Sequence, residues 1–330
     1  MILNGQSPDA IAQAVQALSA GALIGLPTET VYGLAADAHR ASAVAQIFSR
    51  KGRPSTHPLI VHVAGPDDVP RFAQAVPVFA QQLIDAFWPG PLTVILPRLA
   101  GVAEVAAGGH ASVGLRCPSH PVAQALLLAC REAGMAGLAA PSANRFGQVS
   151  PTTAEHVREA FGDELLVLDG GACAVGIEST IVDCTRSAPV LLRPGGISRT
   201  QIEQVTGLAV LDREALATPD PQAPGTLLAH YAPKAKLRLM DAKALQTALD
   251  VLGPDAAHIA IWSRSTLTTP AKGVTVRPMP AQAAQAAQQL FATLRDFDHL
   301  GARLIWVETP PPDAAWEGVS DRLQRAAASA

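Results

Sequence analysis

Between residues 25 and 63 two short clusters combine residue types that folding alone does not call for. Pro27-Thr28-Glu29-Thr30 sets two hydroxyls beside a carboxylate at the end of an apolar run. Lys51-Gly52-Arg53-Pro54 sets two cations on a glycine-proline turn, just before the strand-like Leu59-Ile60-Val61-His62-Val63. Such a set suits an anionic ligand that also carries an amine. Arg116, at the end of an apolar run, and Arg193, in Arg193-Pro194-Gly195-Gly196, add two cations at element ends, where side chains line crevices. Arginine grips carboxylate or phosphate through paired hydrogen bonds and lysine acts as a point charge. A polyphosphate or a carboxylate-bearing substrate follows. Taken alone, Lys51 and Arg53 read equally as a solvated pair at a helix C-terminus, where the macrodipole favours cations.

Two polar loops supply short side chains: Ser142-Ala143-Asn144 with Gly147 and Ser150-Pro151-Thr152, and Gly176-Ile177-Glu178-Ser179-Thr180. Their plain reading is turn chemistry and capping, with Ser150 as a helix cap ahead of Pro151. No G-x-S-x-G elbow accompanies these serines. His62, inside an apolar strand, reads by itself as a core or face histidine. The nine histidines show neither HExxH nor a Cys/His cluster. Walker A and kinase signatures are missing as well, so any ATP site is of another type.

These side chains must be held by alternating strands and helices. Ser7-Pro8-Asp9 starts a helix that Gly21 stops, and 22–26 is a buried strand. Helices are expected at about 42–50, 77–87, 121–133 and 153–161, and strands at 59–63, 92–96, 112–116, 138–140, 165–168, 180–182 and 190–193. The irregular alternation predicts one α/β domain with a twisted mixed sheet over residues 1–210. A proline-rich stretch, 218–225, marks a linker, placed at 211–235. Residues 236–330 form a smaller α/β domain of Rossmann-like rhythm, with strands at 237–240, 259–262 and 304–307 and helices at about 242–252, 281–294 and 316–327. It has no G-x-G-x-x-G after its first strand, so dinucleotide binding is not indicated.

Length and composition agree. The 330 residues allow two domains, and 48% hydrophobic against 16% charged residues describes an ordinary globular chain. A net charge of -3 gives no general attraction to nucleic acid or anionic lipid. Cys117, Cys130, Cys173 and Cys184 lack CxxC spacing, so reduced buried thiols are expected. With neither a basic, apolar leader nor a membrane-length apolar run, the expected location is the cytoplasm.

PTETVYGL, KGRPxxHPLIVH, the strand ending in GLR, APSAN with its following SPT, GIESTIVD and RPGG occur in this order. The chain thereby resembles the YrdC-type threonylcarbamoyl-AMP synthases, over most of its first ~200 residues. Pro224-Gly225 and His230-Tyr231-Ala232-Pro233 resemble the linker of the two-domain form. The resemblance implies a nucleotidyltransferase that converts L-threonine, bicarbonate and ATP into threonylcarbamoyl-adenylate and pyrophosphate, with Mg2+ accompanying ATP. Its product serves tRNA threonylcarbamoyladenosine modification through downstream transferase proteins. Carried over by motif, Thr30, His62, Arg116, Ala140 and Ser179 surround threonine, and Arg53, His57, Ser112, Ser142, Ser150 and Arg193 hold ATP. Lys51 and Asn144 complete the KxR…SxN signature, in which Lys51 and Arg53 are the catalytic cations. His230 or Tyr231 reaches over the nucleotide from the linker.

Many two-domain relatives carry PGMKYxHYAP, whereas this chain has Pro224-Gly225-Thr226-Leu227-Leu228-Ala229 before His230, so the motif's cation and first aromatic residue are missing. A rival reading is a non-catalytic RNA-binding module of the same fold; the acidic balance speaks against it, and direct tRNA binding is expected to be weak or absent. Hydrogenase-maturation carbamoyl transferases share the domain but add acylphosphatase-like and zinc-finger segments that this chain lacks.

Overall fold

Apolar residues that alternate with a period of two decide which side of a sheet each side chain meets. The computed structural model describes residues 1–212 and 230–329. They fall into two units, 1–146 with 150–212, and 147–149 with 230–329. The first runs β1 (Ile2–Asn4), α1 (Pro8–Ser19), β2 (Ile24–Leu26), β3 (Gly33–Asp37), α2 (Ala41–Lys51), β4 (Ile60–His62), α3 (Val78–Phe87), β5 (Leu92–Pro97), β6 (Ser112–Arg116), α4 (Pro121–Glu132), β7 (Leu138–Ala139), α5 (Ala154–Phe161), β8 (Leu166–Asp169), β9 (Thr180–Asp183), β10 (Val190–Arg193), α6 (Arg199–Thr206) and β11 (Leu211–Asp212).

The strands form one sheet in the order β1-β8-β2-β3-β7-β4-β6-β5-β9-β10-β11. It is mixed, as expected: β4 is parallel to β6 and β5 to β9, while β7–β4, β6–β5 and β9–β10 are antiparallel. Val61, Val94, Leu115, Val182 and Leu191 enter a large core shared with Val44 and Ile47 of α2 and Phe79 and Leu83 of α3. The intervening residues Ile60, Ile95, Ile181, Val190 and Leu192 form a separate small cluster. By the same alternation His62, Thr93, Ser112, Gly114 and Arg116 stand on this second face. A further core joins Ala10, Ala14 and Leu18, spaced four apart on α1, with Leu126 and Leu127 of α4.

Several local expectations change. Ser7 stands at the N-cap of α1 but makes no side-chain cap. Ser150 does not cap α5; Thr153 does, accepting from the His156 N–H. β3 carries no sequence signal because Gly-Leu-Ala-Ala-Asp lacks β-branched and aromatic residues; antiparallel pairing with β2 and β7 makes it a strand. β1, α6 and β11 are likewise unforeseen. All four cysteines are free and buried. Among the described residues no helix is long and apolar enough to cross a membrane.

The second unit contains β12 (Lys236–Met240), α7 (Ala242–Leu252), β13 (Ala257–Ser263), β14 (Gly273–Pro278), α8 (Ala283–His299), β15 (Leu304–Glu308) and α9 (Glu317–Ala327). Its sheet is all parallel, ordered β12-β15-β13-β14. The central run Ile259-Ala260-Ile261-Trp262 is buried throughout, as a parallel strand covered on both faces requires. Leu245 and Leu249 of α7 cover one side. Pro224-Gly225 and the rest of the proline-rich stretch lie outside the described residues.

Candidate active site

The register of β4 and β6 sets His62 directly opposite Arg116. The loop between β2 and β3 brings Thr28, Glu29 and Thr30 to the same arginine. Arg116 donates from Nη1 to Thr30 Oγ1 (2.7 Å) and from Nε to the Gly90 carbonyl (3.3 Å), and its Nη2 lies 2.7 Å from Glu29 Oε1. Thr28 gives its one hydroxyl proton to the Val31 carbonyl (2.6 Å), so in the 2.9 Å contact between the two threonines Thr30 is the donor. Burial raises the Glu29 carboxyl, but the Arg116 charge and nearby backbone amides of Glu29 and Ser119 outweigh it and hold the group below its ordinary value. Glu29 is therefore an anion. Burial and then the Arg116 charge push the His62 imidazole down to about 3, so it is neutral. Its Nδ1 is buried and makes no hydrogen bond among the described residues.

A second group gathers around the end of α2. Ala43, Val44, Ile47, Phe48 and Lys51 share the buried stripe of this helix, so Lys51 is drawn inward with its apolar neighbours. Gly52, in the left-handed region at φ 66°, then ends the helix. Lys51 Nζ donates to the carbonyls of Ser142 (2.5 Å) and Asn144 (2.6 Å). Arg53 donates to the carbonyls of His57 and Pro58 and lies over the Phe146 ring, which also faces the His57 ring. Both cations are buried, which excludes the solvated-pair reading. Burial, then Arg53, lowers Lys51 well below the usual lysine range, and the same two causes lower His57.

The third group joins the loop before β9 to β10. A register shift between Leu191 and Arg193 re-aims the Arg193 side chain. Its Nη2 donates to the carbonyl (2.9 Å) and hydroxyl (3.1 Å) of Ser179, whose Oγ also contacts Thr93 Oγ1 at 2.8 Å. Ser150 Oγ donates to the buried Glu178 carboxylate. Gly195 runs against this loop: a Cβ there would meet the Thr180 nitrogen at 2.4 Å and the Glu178 oxygen at 2.7 Å.

Ser112 and Thr93 line one small cavity with Ile60, Ile95, Gly114 and Ile181. Gly114 helps to hollow the apolar floor, since a Cβ there would only make ordinary contacts with Thr93 and Ile60. Ala140 lies buried beside Gly33, and its N–H donates to the Ile60 carbonyl. His230 and Tyr231 belong to the second unit, where Tyr231 (φ 61°) packs on Phe291 and beneath Arg322. The residues carried over by motif do not include Glu29, Glu178 or Thr93. Glu29 and Glu178 lie inside PTETVYGL and GIESTIVD, the first already singled out as a carboxylate beside two hydroxyls, and strand parity sets Thr93 on the face of His62 and Arg116.

Buried guanidinium groups, a buried lysine amine, hydroxyls and two buried carboxylates on a mixed α/β scaffold define a site that positions and neutralises charged substrates. Residues 16–195 match the Sua5/YciO/YrdC family described as "Telomere recombination", and 197–328 match "Threonylcarbamoyl-AMP synthase, C-terminal domain". A threonylcarbamoyl-AMP synthase of Bacillus subtilis is 36% identical over 96% of this chain and 92% of its own length. One of Pyrococcus abyssi is 34% identical over 93% and 90%. The crystal structure of P. abyssi Sua5 complexed with L-threonine superposes with a TM-score of 0.89 at 32% identity, covering 100% of this chain and 98% of that one. The chain belongs to the Sua5/YrdC family of threonylcarbamoyl-AMP synthases.

Proposed function

We infer that the chain condenses L-threonine, bicarbonate and ATP into L-threonylcarbamoyl-adenylate and pyrophosphate, for the threonylcarbamoyladenosine modification of tRNAs that read ANN codons. The observation that carries the reading is the buried Arg116–Glu29 pair beside a neutral His62, which matches an amino acid's paired charges, on a sheet that also bears Ser179 and Arg193. Thr30, His62, Arg116, Ala140 and Ser179 hold threonine in this reading. Lys51, Arg53, His57, Ser112, Ser142, Asn144, Ser150 and Arg193 hold ATP.

Threonine's amine, once deprotonated, bonds to the carbon of bicarbonate and water leaves. A carbamate oxygen then attacks the α-phosphorus and the bond to the β-phosphate breaks, releasing pyrophosphate. Charge grows on the leaving group, so cations fixed beside it lower the barrier without reorganising. Lys51 and Arg53, with Arg193, serve here; a bound triphosphate favours the ammonium form of Lys51 and offsets its burial. Among the described residues no three His, Cys, Asp or Glu side chains group for a metal ion. We assign Mg2+ to the phosphates of the incoming ATP.

The boundaries proposed are 1–210 for catalysis, 211–235 for a linker and 236–330 for the smaller domain, with His230 or Tyr231 closing over the nucleotide to keep water from the carbamate. The protein works in the cytoplasm and passes its adenylate to downstream tRNA transferase proteins, with little direct hold on tRNA. The test is pyrophosphate release from ATP and bicarbonate with threonine, serine or no amino acid, and the adenylate checked by mass. Threonine-dependent release is expected. Its absence in folded protein refutes the reading.

A further inference from the structure

The acidic residue between the two threonines of Pro27-Thr28-Glu29-Thr30 pairs with Arg116 but is not among the residues assigned above to threonine or ATP. We propose that Glu29 is a specificity residue, the acceptor of the substrate's α-ammonium, and that it makes the site selective for amino acids over hydroxy acids of the same shape. The inference rests on the threonine site proposed above.

Arg116 repels any cation that comes close, so an ammonium bound beside it needs an anion within reach. Glu29 provides one: its carboxylate is buried, ionised and 2.7 Å from the guanidinium. The contact is close but poorly directed, and both Glu29 oxygens and Arg116 Nη2 keep hydrogen-bonding capacity. Among the described residues the buried Nδ1 of neutral His62 likewise makes no hydrogen bond. Buried polar groups are normally satisfied, and such a concentration marks a place built for a polar guest.

The guest's two charges are set by the same geometry. Its carboxylate meets Arg116, whose Nε and Nη1 are already fixed by Gly90 and Thr30. Its ammonium meets Glu29. Each substrate charge then sits against an opposite one, and the Arg116–Glu29 pair is bridged rather than broken. Because Glu29 is held in its ionised form, it orients the ammonium as a counter-charge and does not remove the proton.

The test is calorimetric binding of L-threonine and of (R)-3-hydroxybutanoate, its desamino analogue, to wild type and Glu29→Gln, with ATP affinity as the control for fold. Loss of one charge-assisted contact should weaken threonine about 10- to 100-fold and leave the analogue within about twofold. Equal weakening of both ligands overturns the proposal, because Glu29 would then only position Arg116. Unchanged threonine binding overturns it too. If Glu29→Gln does not fold, Glu29→Asp decides: it keeps the anion, so a preference for threonine must persist, and its loss refutes the role. Wild-type protein that binds no threonine sinks the proposed function along with this inference, whereas a wild type that binds it beside an indifferent variant sinks this inference alone.

Discussion

His62 should make the protein acid-sensitive well above the pH at which carboxylates titrate. In the unfolded chain its imidazole takes a proton near 6.5, but in the fold only near 3, because burial and Arg116 oppose the charge. Below 6.5 the unfolded state therefore binds more protons, and stability falls with pH; above 6.5 the contribution is complete. Going from about pH 7.5 to about pH 5 costs about 2 kcal/mol, a factor of about 30 in the folding equilibrium, and the full difference, reached only below pH 3, is about 5 kcal/mol. Urea unfolding of wild type and His62→Gln at several pH values isolates the effect, since every other titrating group is common to both. Whatever the variant loses at neutral pH, its stability should decline less on acidification, by about 2 kcal/mol at pH 5. Parallel curves would show that the His62 imidazole is solvated or paired in solution, and the argument for a neutral ring facing the substrate would fall with them.

Arg193→Ala should reduce threonine-dependent pyrophosphate release by roughly 100-fold or more while the circular dichroism spectrum is kept; a change below tenfold would remove this cation from the reaction. Gly195→Ala should destabilise the first unit by about 3 kcal/mol or more, measured by thermal unfolding, because its methyl group meets backbone rather than a movable side chain. Gly52→Ala has open space but keeps the left-handed conformation, so a loss of only about 1 kcal/mol is expected. Thr153→Ala removes the cap of α5 and should cost about 1 kcal/mol, whereas Ser150→Ala would have been the sensitive change had Ser150 been the cap.

Much of the fold was legible because apolar spacing and punctuation agree locally. β6 and β10 carry the bounds that their apolar runs indicate, and α7 follows its period. β3 was not legible, since its Ala-rich sequence becomes a strand only through pairing with distant β2 and β7. The burial of Lys51 follows from the phase of α2, in which its position continues the stripe of Val44, Ile47 and Phe48, yet residue type pulled the reading toward solvent. The Glu29–Arg116 contact spans the chain between β2 and β6, and no sequence period links its members. Ser150 shows the limit of capping rules, as its hydroxyl finds Glu178 across the fold instead of a nearby amide.

The contact of Gly195 with the backbone at Glu178–Thr180 also has a mechanical meaning. With no side chain between them, the two strand-end turns are stacked main chain on main chain, and neither can slide or tilt without carrying the other. Arg193 and Ser179 are thus held together twice, by touching backbones and by their own hydrogen bonds, so a ligand that meets one meets a surface the other helps to fix.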